Sequence, residues 1–363
     1  MSHLYFDTNA DSPILPEAWS AYRRGASCVG NPSSAHLLGR ESKDSLLAAE
    51  ARLKQLLNAY NYDVYWTSGG TESDALVLQG TATKRIAVGA AEHAAVLENS
   101  DGAQLIPMGT DGVYDISDLA LSESGPTLVC LALANSETGV VQPLSHFVSD
   151  LRSRGDIWLH CDGVQAVGRL AVDLESLDVD SFALAAHKFG GVPGIGALLV
   201  KQGNQLTPKL LGGGQQAGLR PGTLQLAGPM AMVAALEAWS DEHRLRLGAL
   251  RDELETNASR IPGVSVVAQE SDRLPNTSSL RISGCSGDAL LMALDIEGFS
   301  ISTGSACSSG AIEPSKTLLA MGMSPTEASE VIRISLGFEH TLEDVVAFTN
   351  ALMTIVERAR LFR

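Results

Sequence analysis

A thiol in unusual surroundings is the first residue that could do chemistry. Cys307 lies in the stretch STGSACSSG at positions 302–310. A free cysteine usually behaves as a small buried hydrophobe, but the small, polar residues around Cys307 cannot form a core. This setting favours a sulfur that reaches out of a mobile loop, reacts and moves away. We therefore take Cys307 as a candidate nucleophile.

A lysine beside glycines is the second candidate. His187 and Lys188 come shortly after a predicted apolar strand at 181–184 and precede Gly190 and Gly191. Ligands of α/β sheets bind at the carboxyl ends of strands, and a lysine with a lowered pKa can form a Schiff base. Because most lysines are exposed, Lys188 taken alone is more often a solvated loop residue.

A glycine turn joins a predicted strand at 64–67 to a predicted helix that begins at Glu72. The turn, with Gly70 and Thr71, would aim backbone N–H groups and the helix dipole at an anion such as phosphate. The alternative is a tight turn in which Thr71 is the helix N-cap. The motif alone does not decide between them.

Further polar residues follow other predicted strands. Asp162 and Gln165 come after the strand at 157–161, and a carboxylate there could pair with a protonated ring nitrogen of a cofactor. The alternative is a structural role, in which Asp162 forms an Asx turn that closes the strand. His93 and Asn135 are, in isolation, more often structural than functional. Together these residues place polar groups at the same ends of several strands of one sheet, which favours a binding site.

Composition narrows the class of protein. The 363 residues carry a net charge of −16, whereas nucleic acids and anionic membranes attract basic patches. We therefore expect no nucleic-acid or membrane partner, and the apolar run at 226–239 is too short to span a bilayer. The five cysteines form no CxxC pair, and the N-terminus lacks the features of a signal peptide. These features predict a reducing, cytoplasmic location.

The predicted elements form two parts. Apolar strands alternate with helices up to about residue 240, which is typical of a mostly parallel, doubly wound α/β sheet. A charged helix at 241–258 then leads into an α+β region with strands at 264–267 and 278–282, a strand that contains Arg333, and a C-terminal helix. We assign residues 14–244 to a large domain, and residues 1–13 and 245–363 to a small domain with the cysteine loop.

The ordered motifs resemble the NifS/IscS-type cysteine desulfurases of the class-V aminotransferase family, which are fold-type I enzymes dependent on pyridoxal 5′-phosphate (PLP). That resemblance implies a large domain with a seven-stranded sheet. The motifs are YFD at 5–7, GNPSSAH at 30–36, TSGGTE at 67–72, EH at 92–93, NSETG at 135–139, QP at 142–143, HCDGVQ at 160–165, HK at 187–188, GGGQ at 212–215, Arg220, GT at 222–223, GSACSSG at 304–310 and RISLG at 333–337.

The resemblance implies roles for the residues around the cofactor ring. Lys188 would hold PLP as a Schiff base and later move the α-proton of the substrate. Asp162 would pair with the ring nitrogen, and Gln165 would bond the phenolic oxygen. His93 would stack on the ring, and Asn135 would help to hold it. No metal ligand is assigned.

The resemblance also implies contacts to phosphate and substrate. Gly70, Thr71 and His187 would bind the phosphate, joined by Thr223 from the other subunit of a homodimer. Arg333 would bind the carboxylate of L-cysteine bidentately, assisted by Asn31. The thiolate of Cys307 would take the substrate's sulfur as a persulfide, release alanine, and pass the sulfur to an acceptor such as an iron–sulfur scaffold protein.

The chain departs from the family pattern at several positions. Ala185 stands where a phosphate-binding serine is usual, and other changes remove positive charge. This predicts weaker retention of PLP than in a typical member. The remaining departures are Val192, Pro193, Gln216, Ala217, Pro221 and Phe338.

Two other functions stay open. A PLP-dependent selenocysteine lyase or carbon–sulfur lyase would use the same site with little need for Cys307. A partly degenerate paralogue would keep the fold as a non-catalytic partner protein. The joint presence of Lys188, Asp162, Gln165, Arg333 and Cys307 favours the desulfurase.

Overall fold

The structure, a computed structural model, describes residues 3–83, 85–122, 125–303 and 314–361. Cys307 lies outside the described residues. The strands are β1 (Leu4–Tyr5), β2 (Tyr62–Thr67), β3 (Arg85–Gly89), β4 (Gln104–Ile106), β5 (Thr127–Ala132), β6 (Ile157–Asp162), β7 (Ser181–Ala185), β8 (Gly196–Lys201), β9 (Val264–Val266), β10 (Thr277–Ile282), β11 (Phe299–Ser300) and β12 (Val331–Ser335).

Helices precede, connect and follow these strands. They are α1 (Pro16–Ala26), α2 (Leu37–Leu56), α3 (Gly70–Gly80), α4 (Ala94–Leu97), α5 (Leu144–Arg154), α6 (Leu174–Leu177), α7 (Ala227–Glu237), α8 (Asp241–Ala258), α9 (Gly287–Ile296), α10 (Lys316–Ala320), α11 (Pro325–Ser329) and α12 (Leu342–Leu361). Short 3₁₀ turns occur at Ala186–Lys188 and Gln215–Gly218. In the described part of the chain, none of the helices is long and apolar enough to cross a membrane.

A seven-stranded sheet forms the centre of the fold, with strand order β2-β8-β7-β6-β5-β3-β4. Strand β8 runs antiparallel to both of its neighbours, and the other pairings are parallel. The sheet is therefore mostly parallel, as predicted. Because β5, β6 and β7 are parallel neighbours, their carboxyl ends meet at one edge, where Ala132 lies beside Asp162 and Asp162 beside Ala183.

Both faces of this sheet are covered. Side chains alternate between the faces of a strand, so along β5 Leu128 and Cys130 enter one apolar cluster while Val129 and Leu131 enter another. A strand buried on both faces reads as an unbroken apolar run. This is why the sequence revealed the inner strands clearly.

Two details of the predicted elements were wrong. Helix α3 begins at Gly70 rather than at Glu72, and its N-cap is Gly69, so Thr71 lies in the first turn and is not the cap. Strand β4 was missed because it has three residues at the edge of the sheet. Helix α8 has the predicted bounds.

Two smaller sheets bring the N-terminal segment to the site. Strands β12, β10 and β9 form an antiparallel sheet, and β1 pairs in parallel with β11. Isolated bridges then join Asp7 to Ser335 and Ser302 to Arg333. The division into residues 14–244 and residues 1–13 with 245–363 stays a prediction.

Candidate active site

A cavity of about 230 Å³ lies at the carboxyl ends of β5, β6 and β7. It collects most of the residues singled out from the sequence for the cofactor. Its lining is Gly70, Thr71, Asp74, Ala91, His93, Ala132, Ala134, Asn135, Ser136, Asp162, Val164, Gln165, Ala185, His187 and Lys188.

Asp162 supplies a buried carboxylate to this cavity. It ends β6, and its Oδ1 accepts a hydrogen bond of 2.8 Å from the backbone N–H of Val164. Burial, and then the neighbouring carboxyl of Asp74, raise the pKa of Asp162 to about 6. A cation bound beside Asp162 would relieve this cost of burying charge. The bond to Val164 also closes the turn, as the Asx-turn alternative predicts.

Behind Asp162 lies a buried pair formed by Asp74 and His160. His160 Nε2 is 3.1 Å from Asp74 Oδ1, and His160 Nδ1 is 2.9 Å from Ser181 Oγ. Burial raises the pKa of Asp74 to about 8 and lowers that of His160 to about 4. The two groups therefore share a hydrogen bond between neutral forms rather than an ion pair.

The N-terminal segment holds Lys188 and Gln165 through its backbone. Lys188 Nζ donates to the carbonyl oxygens of Asn9 at 2.9 Å and Ala10 at 2.8 Å. Gln165 Nε2 donates to the same carbonyl of Asn9 at 3.1 Å. Lys188 is half-buried rather than fully solvated, and it lines the cavity.

His93 and Asn135 line the cavity from turns that follow β3 and β5. His93 Nδ1 accepts from the N–H of Ala95 at 3.0 Å and thereby caps α4. Asn135 Oδ1 accepts from the N–H groups of Glu137 and Thr138 at 2.9 and 3.0 Å. Both residues thus have a structural role at the positions where a cofactor ring would lie.

The glycine turn predicted to bind an anion forms the N-terminus of α3. Gly70 packs closely against Val164, because a Cβ on Gly70 would lie 2.7 Å from Val164 Cγ2. Any larger residue there would push the turn away from the cavity. The N–H groups and dipole of an eleven-residue helix favour a phosphate at this position, although Thr71 itself is exposed.

His187 faces the same region and has an acidic partner. Its Nδ1 is 3.1 Å from Asp11 Oδ1. Burial and the nearby Lys188 lower the pKa of His187, while Asp11 raises it. Ala185 also lines the cavity. It has no hydroxyl group, so the hydrogen-bond donor that the family's usual serine would offer is missing there.

Arg333 lies beside the cavity but does not line it. Its Nη1 donates to the carbonyl of Ser136 at 3.1 Å, and its Nη2 pairs with Asp7 Oδ1. Its Nε is buried and lacks a hydrogen-bond partner among the described residues. A buried donor without a partner is costly, so an added acceptor such as a carboxylate would be stabilised there.

The chain on both sides of residues 304–313 is anchored near the cavity. Ser302 exchanges backbone hydrogen bonds with Arg333, at 3.2 and 2.6 Å. On the other side, the hydroxyls of Ser315 and Thr317 donate to Glu137, at 2.5 and 3.0 Å. Glu137 follows Asn135 of the cavity wall by two residues.

Comparison with known proteins decides the family. The profile of the class-V aminotransferases matches residues 4–348. The chain is 36% identical to a cysteine desulfurase of Cereibacter sphaeroides, over 99% of this chain and 97% of the relative. An IscS-like cysteine desulfurase of Mycobacterium tuberculosis is 35% identical over 98% and 97%. The chain belongs to the class-V aminotransferases, among the NifS/IscS-type cysteine desulfurases.

A solved structure of this family supports the fold. The NifS-like protein of Rickettsia africae superposes with a TM-score of 0.89 at 29% identity, covering 98% of this chain and 99% of the other. The fold is therefore that of the PLP-dependent fold-type I enzymes, as the resemblance implied.

The enzyme depends on PLP, as its family does, and the site fits that cofactor. Lys188 offers an amine, the buried carboxyl of Asp162 suits a cationic ring nitrogen, and the N-terminus of α3 suits a phosphate. Bound PLP supplies an electron sink for reactions at the α-carbon of an amino acid. Lys188 would move a proton at that carbon, and the carboxylate of Asp162 would pair with the ring nitrogen.

Two candidates lie away from this cavity within the chain. Asn31 is exposed, and its Oδ1 accepts from the N–H of Ser33 at 2.9 Å. Thr223 is exposed and lies at a separate small cavity beside Arg220. The structure therefore does not bring Asn31 or Thr223 together with the cofactor candidates.

The substituted segment near Thr223 has a structural function. Gln216 adopts a left-handed backbone with φ of 51°. Its Oε1 accepts from the N–H of Trp66 at 2.6 Å, and its Nε2 donates to the carbonyl of Trp66 at 3.0 Å. The amide thus pairs with β2, an edge strand of the large sheet.

Phe338, another departure from the family pattern, also has a structural role. Its ring packs edge-on against Trp239, with ring centroids 4.5 Å apart.

Sequence reasoning missed three residues that shape the site: Asp11, Asp74 and Arg169. Helical spacing could have revealed Asp74, because residues three apart on a helix share a face and Asp74 follows Thr71 by three. Arg169 follows Gln165 by four residues. Asp11 had no such signal, because its hydrogen-bond partner His187 lies 176 residues away in the sequence.

Proposed function

We propose that this enzyme converts L-cysteine to L-alanine and leaves the sulfur as a persulfide on Cys307. The observation that carries the proposal is the anchoring of the chain on both sides of residues 304–313 beside the cofactor cavity. Ser302 is paired with Arg333, and Ser315 is bonded to Glu137. These anchors support the proposal, because Ser302 is bonded to the arginine proposed to hold the substrate and Ser315 is bonded to a residue next to the cavity wall.

Each residue has a defined task in this reaction. Arg333 binds the carboxylate of the substrate, and Lys188 moves the proton at its α-carbon. The thiolate of Cys307 attacks the substrate's sulfur, so that an S–S bond forms as the C–S bond breaks. The β-carbon that loses the sulfur takes up a proton, so that alanine is released while the persulfide stays on the protein. Gly70, Thr71 and His187 hold the phosphate, and Gln165, Asn135 and His93 hold the ring.

The remaining assignments concern partners and assembly. The persulfide sulfur would pass to an acceptor protein such as an iron–sulfur scaffold, in line with the name IscS of a relative from Dictyoglomus turgidum that is 34% identical. The enzyme would act as a homodimer in which Thr223 completes the phosphate site of the other subunit. Its support is that Thr223 is exposed and lies off its own chain's cavity. Asn31 would assist Arg333 with the substrate.

The cysteines support a reducing, cytoplasmic location. Cys28, Cys130, Cys161 and Cys285 are all free thiols.

The proposed division into domains separates the two functions of the site. Cofactor binding is assigned to the large domain, residues 14–244. Both Arg333 and Cys307 belong to the small domain, residues 1–13 and 245–363.

The test is to incubate the PLP-loaded protein with L-cysteine and to measure alanine. Alkylation and mass spectrometry of the same sample should locate a persulfide on Cys307. C307A should abolish alanine formation, whereas C28A, which removes an exposed cysteine elsewhere, should not. Substantial alanine formation by C307A would favour the lyase. A protein that binds no PLP would favour the non-catalytic paralogue.

A further inference from the structure

Arg169 is a fully buried arginine next to the cofactor cavity, with 1% of its surface exposed. Its Nη1 donates to two oxygens of Gln165, the backbone carbonyl at 2.9 Å and the side-chain Oε1. Its Nη2 donates to the carbonyls of Thr8 at 3.0 Å and Lys188 at 2.9 Å. All of these acceptors are neutral.

A buried cation without a carboxylate partner is rare, because removing a charge from water is costly. Arg169 forms no ion pair with the residues that the structure describes. Burial, and then the nearby Arg333, lower the pKa of Arg169 to about 9. The guanidinium therefore remains cationic at neutral pH, and its charge is available to the site.

The contacts of Arg169 fix the orientation of the Gln165 side chain. An amide can present either its oxygen or its nitrogen to a given side, and the hydrogen-bond network decides which. Oε1 of Gln165 accepts from the guanidinium of Arg169. The amide nitrogen Nε2 therefore directs its two N–H groups to the other side. One of its N–H groups goes to the carbonyl of Asn9. Gln165 also lines the cavity, where an oxygen of a ligand would accept from this amide.

The same guanidinium joins Gln165 to the residue that carries the reactive amine. Through one nitrogen it holds both the carbonyl of Lys188 and that of Thr8. The next two carbonyls, of Asn9 and Ala10, accept from Lys188 Nζ. Arg169 therefore ties the lysine's backbone to the segment that orients the lysine's side chain.

We propose that Arg169 is a positioning residue of the cofactor site, which turns the Gln165 amide N–H toward the phenolic oxygen of PLP and places a buried positive charge behind that amide. The inference rests on the proposed role of Gln165 in binding that oxygen. A donor that is itself polarised by a cation makes a stronger hydrogen bond. A nearby cation also favours loss of a proton from its neighbours.

The measurable consequence is the pH at which the bound cofactor changes its absorption spectrum. Arg169 should keep this midpoint low. The other charged or titratable groups in and around the cavity include Asp7, Asp11, Asp74, Glu92, His93, Tyr114, Glu137, His160, Asp162, His187, Lys188 and Arg333. All of these residues stay unchanged in the variants of Arg169, so a shift of the midpoint reports on residue 169.

The experiment compares R169M, R169K and the wild type, each loaded with PLP, by absorbance from about pH 6 to pH 10. R169M should raise the midpoint by about one pH unit, a tenfold change in the protonation equilibrium. R169K, which keeps the charge, should restore most of the wild-type value. R169Q, whose amide retains a donor for the carbonyls, replaces R169M if that variant does not fold.

Variants of Gln165 separate this inference from the proposed site. Q165L alone should raise the midpoint, and R169M should add little to it, because the two residues act through one hydrogen bond. If Q165L leaves both the midpoint and the affinity for PLP unchanged, the assignment of Gln165 fails. If Q165L shifts the midpoint while R169M and R169Q lower only the melting temperature of the cofactor-free protein, Arg169 is merely structural and the inference is overturned.

Discussion

Arg333 forms a partly buried ion pair with Asp7, whose Oδ1 lies 2.5 Å from Arg333 Nη2. The guanidinium proposed to bind the substrate is therefore partly neutralised before any substrate arrives. Its Nη1 is bonded to Ser136 and its buried Nε has no hydrogen-bond partner in the described part of the chain. Asp7 thus holds Arg333 in place, and the buried Nε–H is among the donors left for a new acceptor.

Replacing Arg333 with lysine should weaken the binding of cysteine. The ammonium of lysine cannot keep Asp7 and a substrate carboxylate in bidentate geometry. Since a hydrogen bond to a charged group contributes about 1.5–3 kcal/mol, KM should rise about 10- to 100-fold. The absorption spectrum of bound PLP should not change. R281K is the matched control, because Arg281 pairs with Glu327 and Glu330 in the smaller sheet region. An unchanged KM in R333K would contradict the assignment.

Introducing a serine at position 185 should strengthen PLP binding. Ala185 is buried at the end of β7 and lines the cavity, so a hydroxyl there could donate to the phosphate. The expected gain in affinity is about tenfold, which corresponds to the lower end of what a hydrogen bond to a charged group contributes, about 1.5 kcal/mol. A183S, on the same strand but outside the cavity lining, should give no gain. Equal dissociation constants for A185S and the wild type would refute the idea that Ala185 weakens PLP retention.

The pair of His187 and Asp11 should make PLP binding depend on pH. Burial and Lys188 lower the pKa of His187, whereas a bound phosphate favours the cationic imidazole. Affinity for PLP should therefore rise as the pH falls. Asp11 helps to keep the imidazole charged, so D11N should weaken PLP binding by up to about fivefold near neutral pH.

Pyridoxal, which lacks the phosphate, provides the control ligand for this prediction. D11N should leave its affinity unchanged, and D44N, at an exposed site on α2, should affect neither ligand. A loss of affinity for PLP and pyridoxal alike would mean that Asp11 acts on something other than the phosphate.

Asp74 should make the cofactor-free protein less stable as the pH rises. Its pKa in the folded state is raised to about 8, so the folded protein keeps a proton that the unfolded chain has already lost above about pH 4. Stability therefore falls between about pH 4 and pH 8. Glu92, with a pKa of about 8, and Asp162, at about 6, act in the same direction.

Urea unfolding of the cofactor-free D74N variant tests this contribution. Above about pH 6.5, His160 is neutral in both the folded and the unfolded state and no longer contributes to the pH dependence. Between about pH 6.5 and pH 8, the free energy of unfolding of D74N should therefore fall by about 1–2 kcal/mol less than that of the wild type. D63N, on an exposed position of β2, is the control. The same pH dependence in D74N and the wild type would show that Asp74 is ionised in the fold.

The sequence predicted that several polar residues would share one cavity, and there is a specific physical reason for this. Parallel neighbouring strands end at a common edge, so Asp162, Asn135 and Lys188 could be brought together without knowing any side-chain contact. The helix of the anion turn was placed two residues too late because glycines, rather than a polar cap residue, begin it.

Other parts of the site could not be predicted. The acceptors for Lys188 and Gln165 are backbone carbonyls of Asn9 and Ala10, and a carbonyl leaves no signature in the sequence. The roles of Asn31 and Thr223 stay predictions, because neither residue reaches the cavity of its own chain. The role of Cys307 also stays a proposal, since the residue lies outside those that the structure describes.

The N-terminal segment has a consequence for when the site can form during synthesis. The carbonyl of Asn9 accepts hydrogen bonds from Gln165 and Lys188, which lie 156 and 179 residues later in the sequence. Asp7 pairs with Arg333, which lies 326 residues later. A ribosome adds about 5–20 residues per second, so the segment must wait many seconds for these partners. A growing chain can thus form the central sheet before its site is complete. The arginine proposed to hold the substrate therefore joins the site after the residues proposed to hold the cofactor.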